Sequence, residues 1–118
     1  MKRAEVEQLI ADALEYDPSY SVEDVLTEVR EMRAELAVGL KSLTVSNVID
    51  RPNGRHFHIW IAAGDLTELM DEIYPALERR AIEFGCNAMT ISGRRGWIRK
   101  LKPHGFEETA TVGVKKLT

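Results

Sequence analysis

Pro52-Asn53-Gly54 separates two β-rich runs, and no other feature restricts the fold as much. Leu43, Val45, Val48 and Ile49 precede it. Behind it Phe57, Ile59 and Ile61 alternate with His56, His58 and Trp60. Alternation of this kind around a Pro-Asn-Gly turn predicts a β-hairpin. The hairpin's apolar side must be covered, so the rest of the chain has to supply helices or further strands. Immediately after the second run, Asp65 stands where a helix N-cap belongs and Glu68 where a capping box is completed. Leu66, Leu69, Met70, Ile73, Leu77, Ala81 and Phe84 then recur at helical spacing, with Pro75 inside the pattern to kink or divide the helix and Gly85 to end it. "NAMTIS" follows as a short strand. Strand, helix and strand compose a right-handed βαβ unit with parallel strands.

Upstream, Val6, Leu9, Ile10, Ala13 and Leu14 predict an amphipathic helix over residues 3–15, broken at Pro18. Ser21 and Asp24 form a second capping-box pattern, opening a helix that runs to about Ala34. Leu36 to Val38 add a short strand before the hairpin. Downstream, residues 94–101 predict a short helix and "FEETATVGVKKL" a last strand. The order is α-α-β-β-β-α-β-α-β: an α/β (α+β) chain with a mixed sheet of four to five strands and helices on both faces. At 118 residues it is one domain, 1–118, with a core of residues 20–117. The helix within residues 1–19 either packs on that core or projects toward another chain.

Charge is distributed unevenly. Residues 1–36 hold ten acids and four bases, whereas residues 85–106 hold five bases and no acid, within a net charge of −3. This asymmetry suits two faces with different partners, a head-to-tail contact between copies, or a solvated dipolar surface. The single Cys86 rules out an internal disulfide and a CxxC metal knuckle, so a structural thiol in a reducing compartment is expected. No apolar run approaches the roughly 18 residues of a membrane helix, and the N-terminus does not read as a signal sequence.

Two constellations could carry chemistry. His56 and His58 share one strand face, as two metal ligands would, but a third ligand would have to be His104 or Cys86, and no ligand set of known spacing exists. No Ser-His-Asp, Cys-His or Gly-Lys-Ser/Thr pattern is legible. The basic run "SGRRGWIRKLKPHGF" carries Arg94, Arg95, Arg99, Lys100 and Lys102 around Trp97. Trp97, Ile98 and Leu101 share helical spacing, which places Trp97 beneath the helix and the cations toward solvent. Those cations suit carboxylates on a protein partner first, water next and nucleic-acid phosphates third, since the chain is acidic overall and lacks nucleic-acid motifs.

The element order, and "LKPHGF" as a short helix turning through Gly into a strand, resemble the GNAT (Gcn5-related N-acetyltransferase) fold over about residues 20–117. "GDL-x-E-L", "ALE-x-x-A-x-x-x-GC" and "GRRGW-x-R-x-L" most resemble small GNAT-like proteins of phage and prophage genomes, which tend to lie among structural and assembly genes. In the family, acetyl-CoA rests its pyrophosphate on a Gly-rich loop at the start of the central helix. The resemblance therefore puts the cofactor at Ala63, Gly64, Asp65 and Leu66. Here that loop has one Gly, no Arg or Gln, and the carboxylates of Asp65 and Glu68 in the first helical turn. Leu101 stands where the family has its general-acid Tyr, and His58 is the residue left to act as base.

On this reading the chain is a non-catalytic GNAT-like phage protein, a pseudoenzyme of the virion or its assembly. It contacts other structural proteins or itself through Arg94, Arg95, Trp97, Arg99, Lys100 and Lys102. It has no cofactor or metal, and is found in the virion or host cytoplasm. The alternative is an acyl-CoA-dependent N-acetyltransferase acting on an amine, using His58 and acetyl-CoA at residues 63–66.

Overall fold

A computed structural model describes residues 1–15, 17–92, 95–110 and 113–117, Arg95 by its backbone alone. Two helices open the chain, α1 (Arg3–Leu14) and α2 (Val22–Arg30), followed by strands β1 (Glu35–Val38), β2 (Ser42–Arg51) and β3 (Gly54–Gly64). A long helix follows as α3 (Leu66–Glu68), a π turn (Leu69–Ile73) and α4 (Tyr74–Glu83). Then come β4 (Ala88–Ile91), α5 (Arg95–Leu101) and a 3-10 turn (Lys102–His104). The sheet order is β1-β2-β3-β4, antiparallel except for the parallel pair β3 and β4. The expected mixed sheet with helices on both faces is therefore present. No described helix is long and apolar enough to cross a membrane.

One extra residue in β3 organises the core. Val45 of β2 faces Ile61 while its neighbour Ser46 faces Ile59, which leaves Trp60 without a partner as a β-bulge. Side chains of a regular strand alternate between faces, so one inserted residue exchanges the faces of all that follow. Phe57 and Ile59 accordingly pack with Leu69, Ile73, Leu77 and Ala81 under the long helix. Ile61 and Ala63, beyond the bulge, pack with Ile10, Leu14, Val25, Leu43 and Val45 under α1 and α2. The alternation that reads in sequence as one buried side is thus shared between two cores. Trp60 joins the α1–α2 side, its ring edge-on to Tyr20 at 4.9 Å.

Local chemistry sets the helix limits. Ser21 and Asp24 make both bonds of their capping box, Asp24 N–H to Ser21 Oγ at 3.1 Å and Ser21 N–H to Asp24 Oδ2 at 2.9 Å. Pro75 falls in the first turn of α4, directly after the π turn. Proline has no N–H to give the ladder, and a π turn takes up the extra residue that the missing bond releases. Leu69, Ile73, Leu77 and Ala81 are spaced by four, which would drift around a helix of 3.6 residues per turn. The wider π turn offsets that drift and keeps all four on the sheet. Pro75 therefore divides the helix without breaking its apolar face.

Two sequence expectations are corrected. The last strand is absent among the described residues: 106–110 and 113–117 are irregular, and Thr111 and Val112 lie outside the description. A strand needs an apolar face to bury, and Val114 and Leu117 are exposed. Glu68, in turn, does not close a capping box. The Asp65 N–H that it would serve donates instead to Lys41 O at 3.2 Å. Glu68 reaches across to the β1–β2 turn, accepting from Leu40 N–H at 3.1 Å, Lys41 N–H at 2.9 Å and the Ser42 hydroxyl.

These bonds, the Ser42 hydroxyl first and the Lys41 amide next, hold the Glu68 carboxyl below its ordinary 4.5. A depressed folded value stabilises the protein above the unfolded value and loses that contribution as pH falls through the folded one. Glu68→Gln should lower the melting temperature at neutral pH and flatten its decline on acidification below 4.5. Thermal melts of both proteins from about pH 7 to pH 3 check this, and parallel curves would refute it.

Candidate functional site

β3 and β4 are paired only from His56–Ala88 to Ile59–Ile91, and Ser92 N–H adds one last rung to Ile59 O at 3.2 Å. Past that point β4 ends, while β3 runs on through its bulge to Gly64. The sheet therefore parts at Ile59. On the helix face of the opening lies a cavity of about 20 Å³ lined by Thr44, Ile59, Ala62, Tyr74, Trp97 and Leu101. That is space for one water molecule. Thr44 is buried, and its hydroxyl has no hydrogen-bond partner among the described residues. Tyr74 keeps its proton, because burial and then its hydrogen bond to Glu78 push the phenol up to about 12. A wider groove of about 550 Å³ follows the outer edge of β4, with His56, Glu78, Thr90, His104, Phe106 and Glu107 along it.

On the opposite face, at the vertex of the parting strands, three side chains form a chain of hydrogen bonds. His58 Nδ1 lies 2.7 Å from Thr90 Oγ1, and His58 Nε2 lies 3.1 Å from Ser92 Oγ. The placement follows from strand geometry. His58 is the register partner of Thr90, and the period of two brings Thr90 and Ser92 to the same face on either side of the ring. Burial lowers the His58 pKa from its ordinary 6.5, and the Arg51 charge lowers it further. The imidazole is therefore neutral at physiological pH, with one ring nitrogen unprotonated. A neutral imidazole between two hydroxyls is suited to accept a proton. Sequence reading found His58 but missed Thr90 and Ser92. The available signal was "TIS" ending the strand that runs parallel to "HFH".

The residues where the resemblance puts acetyl-CoA are spent on structure. Ala63 is buried in the α1–α2 core. Gly64 has a φ of 107°, and a Cβ there would lie 2.3 Å from Lys41 O. The Asp65 N–H is committed to Lys41 O, and the Asp65 carboxylate accepts from Glu68 N–H at 2.8 Å. Leu66 points to solvent. A diphosphate needs converging free amides and a positive neighbourhood. This turn offers a carboxylate and a packed glycine, so the residues do not fit a diphosphate cradle.

In the basic segment, Trp97 packs inward against the long-helix core and Leu101 is buried at 2% exposure. Arg99, Lys100 and Lys102 face solvent. Arg94 and the Arg95 side chain lie outside the described residues. No group of three or more His, Cys, Asp or Glu among the described residues is placed to hold a metal ion. Burial raises the thiol pKa of the half-buried Cys86.

No protein-family model and no curated protein sequence matches this chain. Its architecture does match solved structures. A tetramutant of the BH1408 protein from Bacillus halodurans superposes with a TM-score of 0.72 at 12% identity, covering 97% of this chain and 93% of that one. Glucosamine-6-phosphate N-acetyltransferase from Arabidopsis thaliana gives 0.65 at 12% identity, over 100% and 95%. Aminoglycoside N-acetyltransferase AAC(6')-Iy, in complex with CoA, gives 0.62 at 17% identity, over 96% and 86%. The fold is GNAT-like, and two of these neighbours are acetyltransferases by name. The association with phage structural genes rests on sequence strings such as "GRRGW" alone.

The His58 environment has a measurable consequence. As pH falls below 6.5 the unfolded chain takes up the imidazole proton before the folded one does, so stability declines until the lower folded value is passed. In an NMR titration His58 should protonate below 6.5, and His58→Gln should remove this part of the acid sensitivity. An imidazole titrating above 6.5 would overturn the assignment of a neutral base.

Proposed function

We propose that the chain transfers an acyl group from a thioester to an amine, and that it holds the donor by its acyl end rather than by a nucleotide diphosphate. The carrying observation is His58 between Thr90 and Ser92 at the vertex where β3 and β4 part. The GNAT-like fold shared with acetyltransferases supports acyl transfer as the chemistry. An amine acceptor suits the groove beside β4, where Glu78 and Glu107 offer carboxylates to an ammonium group and Phe106 offers an aromatic wall. His58, neutral and half-buried, takes the proton that the amine must lose as its nitrogen attacks. Tyr74, whose proton is bonded to Glu78, walls the cavity beside Leu101. The closed turn at Gly64 and Asp65 is why the donor's nucleotide contributes nothing on this reading.

A second reading is favoured by that same closed turn and by Leu101 at the general-acid position. It is a non-catalytic protein-binding component, including the virion or assembly role that the sequence strings imply. Arg99, Lys100 and Lys102 would then be the described cations of its contact face, joined by Arg94 and Arg95.

Melting temperatures with a short N-acetylcysteamine thioester, with acetyl-CoA and with adenosine 3′,5′-bisphosphate separate these readings. A ligand at one hundred times its dissociation constant contributes about 2.7 kcal/mol, several degrees for a domain of this size. Both thioesters should raise the melt and acetylate a polyamine, and the nucleotide alone should not. Protection by the bisphosphate would refute the argument from Asp65. Silence with both thioesters would reject acyl transfer and leave the binding reading.

A further inference from the structure

We infer that Ser92 is a nucleophile that is itself acylated, so that the acyl group passes through a seryl ester before it reaches its acceptor. The inference deepens the acyl-transfer reading and rests on it for the choice of donor. Three side chains carry it. An activated serine requires a base within hydrogen-bond reach and a third group that orients the base. Ser92 Oγ lies 3.1 Å from His58 Nε2, and His58 Nδ1 lies 2.7 Å from Thr90 Oγ1. In the tautomer that carries its proton on Nδ1, the ring donates to Thr90 and turns the Nε2 lone pair toward the serine hydroxyl.

The backbone fixes this geometry. His58 sits inside the central strand and Thr90 is its register partner on β4. Ser92 lies one residue beyond β4, but its N–H is held by Ile59 O, so the nucleophile is anchored by a sheet rung and not carried on a free loop. Ser92 is exposed while His58 is half-buried, which leaves the hydroxyl open to a substrate and the base shielded from water. The adjoining Ile91 points to the other face and lines the small cavity there, so Ser92 presents its hydroxyl on the open face of the sheet.

The step balances as follows. Ser92 Oγ attacks the carbonyl carbon while its proton moves to His58 Nε2. The C–S bond of the thioester breaks, and the departing thiolate takes that proton from the imidazolium, leaving O-acyl-Ser92 and neutral His58. An amine or water then attacks the ester, losing its proton to His58, and the proton returns to Ser92 Oγ as the C–O bond breaks. No oxidant, reductant or metal enters.

The test uses the full chain and 4-nitrophenyl acetate, whose phenolate leaves readily and so reports on the nucleophile. A burst of one nitrophenolate per chain is expected, with one acetyl group located on Ser92 by peptide mass mapping. Ser92→Ala should lose both. Ser92→Cys should keep acylation, now as a thioester. His58→Gln should slow the burst by on the order of 10²–10⁴-fold, the usual contribution of a positioned base. Thr90 is a positioning residue: Thr90→Val should slow the burst, and Thr90→Ser, which restores the hydroxyl, should recover it. Acetylation confined to lysines or the N-terminus, or an unchanged burst in Ser92→Ala, would overturn the inference. The two proposals can fail separately. Polyamine acetylation by Ser92→Ala at the parent rate would mean direct transfer, which sinks the seryl ester and spares the transferase. Acyl-Ser92 that forms but yields only to water would retain the nucleophile and reject the amine acceptor.

Discussion

β3 has to pair with β2 along its whole length, pair with β4 over four of its 11 residues, and present apolar side chains to helices on both sides. A regular strand cannot meet all three demands, because its apolar positions fall on one face. The extra residue at Trp60 meets them by reversing the face midway. It serves the long helix through Phe57 and Ile59, and α1 and α2 through Ile61 and Ala63. A bulge also bends its strand and strengthens the twist. Here it follows directly on Ile59, the last residue paired with β4, so the device that distributes the core sits where that pairing ends. The cavity and the His58 chain both lie beside this point of the strand.

The turn after β3 illustrates the competition between stability and ligand binding. A helix that starts there has unpaired amides, and a diphosphate and a carboxylate are rival solutions to the same deficit. Asp65 supplies the carboxylate internally. Lys41 O takes the Asp65 N–H and packs where a Gly64 side chain would be, and Glu68 ties the β1–β2 turn to the same helix. Each bond makes the turn more rigid and less receptive to an outside anion. A protein that shares its fold with acetyltransferases can thus satisfy this turn from within the chain.

Sequence legibility tracked the range of the interactions. The hairpin, the Ser21 box and the Pro75 division depend on residues within one turn of each other, and all could be read from local pattern. The bulge could not, because it is fixed by which residue of β2 faces which residue of β3, and a hydrophobic alternation through Trp60 reads as continuous either way. Glu68 was misassigned for a similar reason: its position matched a local box, but its partners lie 26 to 28 residues upstream. The last strand was expected from local pattern, which does not encode whether a strand finds a sheet edge to pair with. At the site, His58 was visible as a lone imidazole. Thr90 and Ser92 became its partners only through the register of a parallel pair, which no local pattern encodes.

That register also bears on the chemistry assigned to the site. Asp65 and Leu101 are losses judged against the acetyltransferase pattern, and on their own they describe a fold that has given up catalysis. The His58 chain is not part of that pattern. It is built from two parallel strands and does not depend on the turn after β3 or on the helix that bears Leu101. On the proposed acyl-transfer reading, a closed turn removes binding energy from the remote part of a donor, energy that would otherwise offset the cost of orienting the reacting group. A nucleophile held by the sheet itself reduces that need, since a covalent ester keeps the acyl group in place between the two halves of the transfer. On the proposed reading a closed turn and a nucleophilic serine are therefore compatible features, and together they would favour a small activated donor over a large nucleotide one.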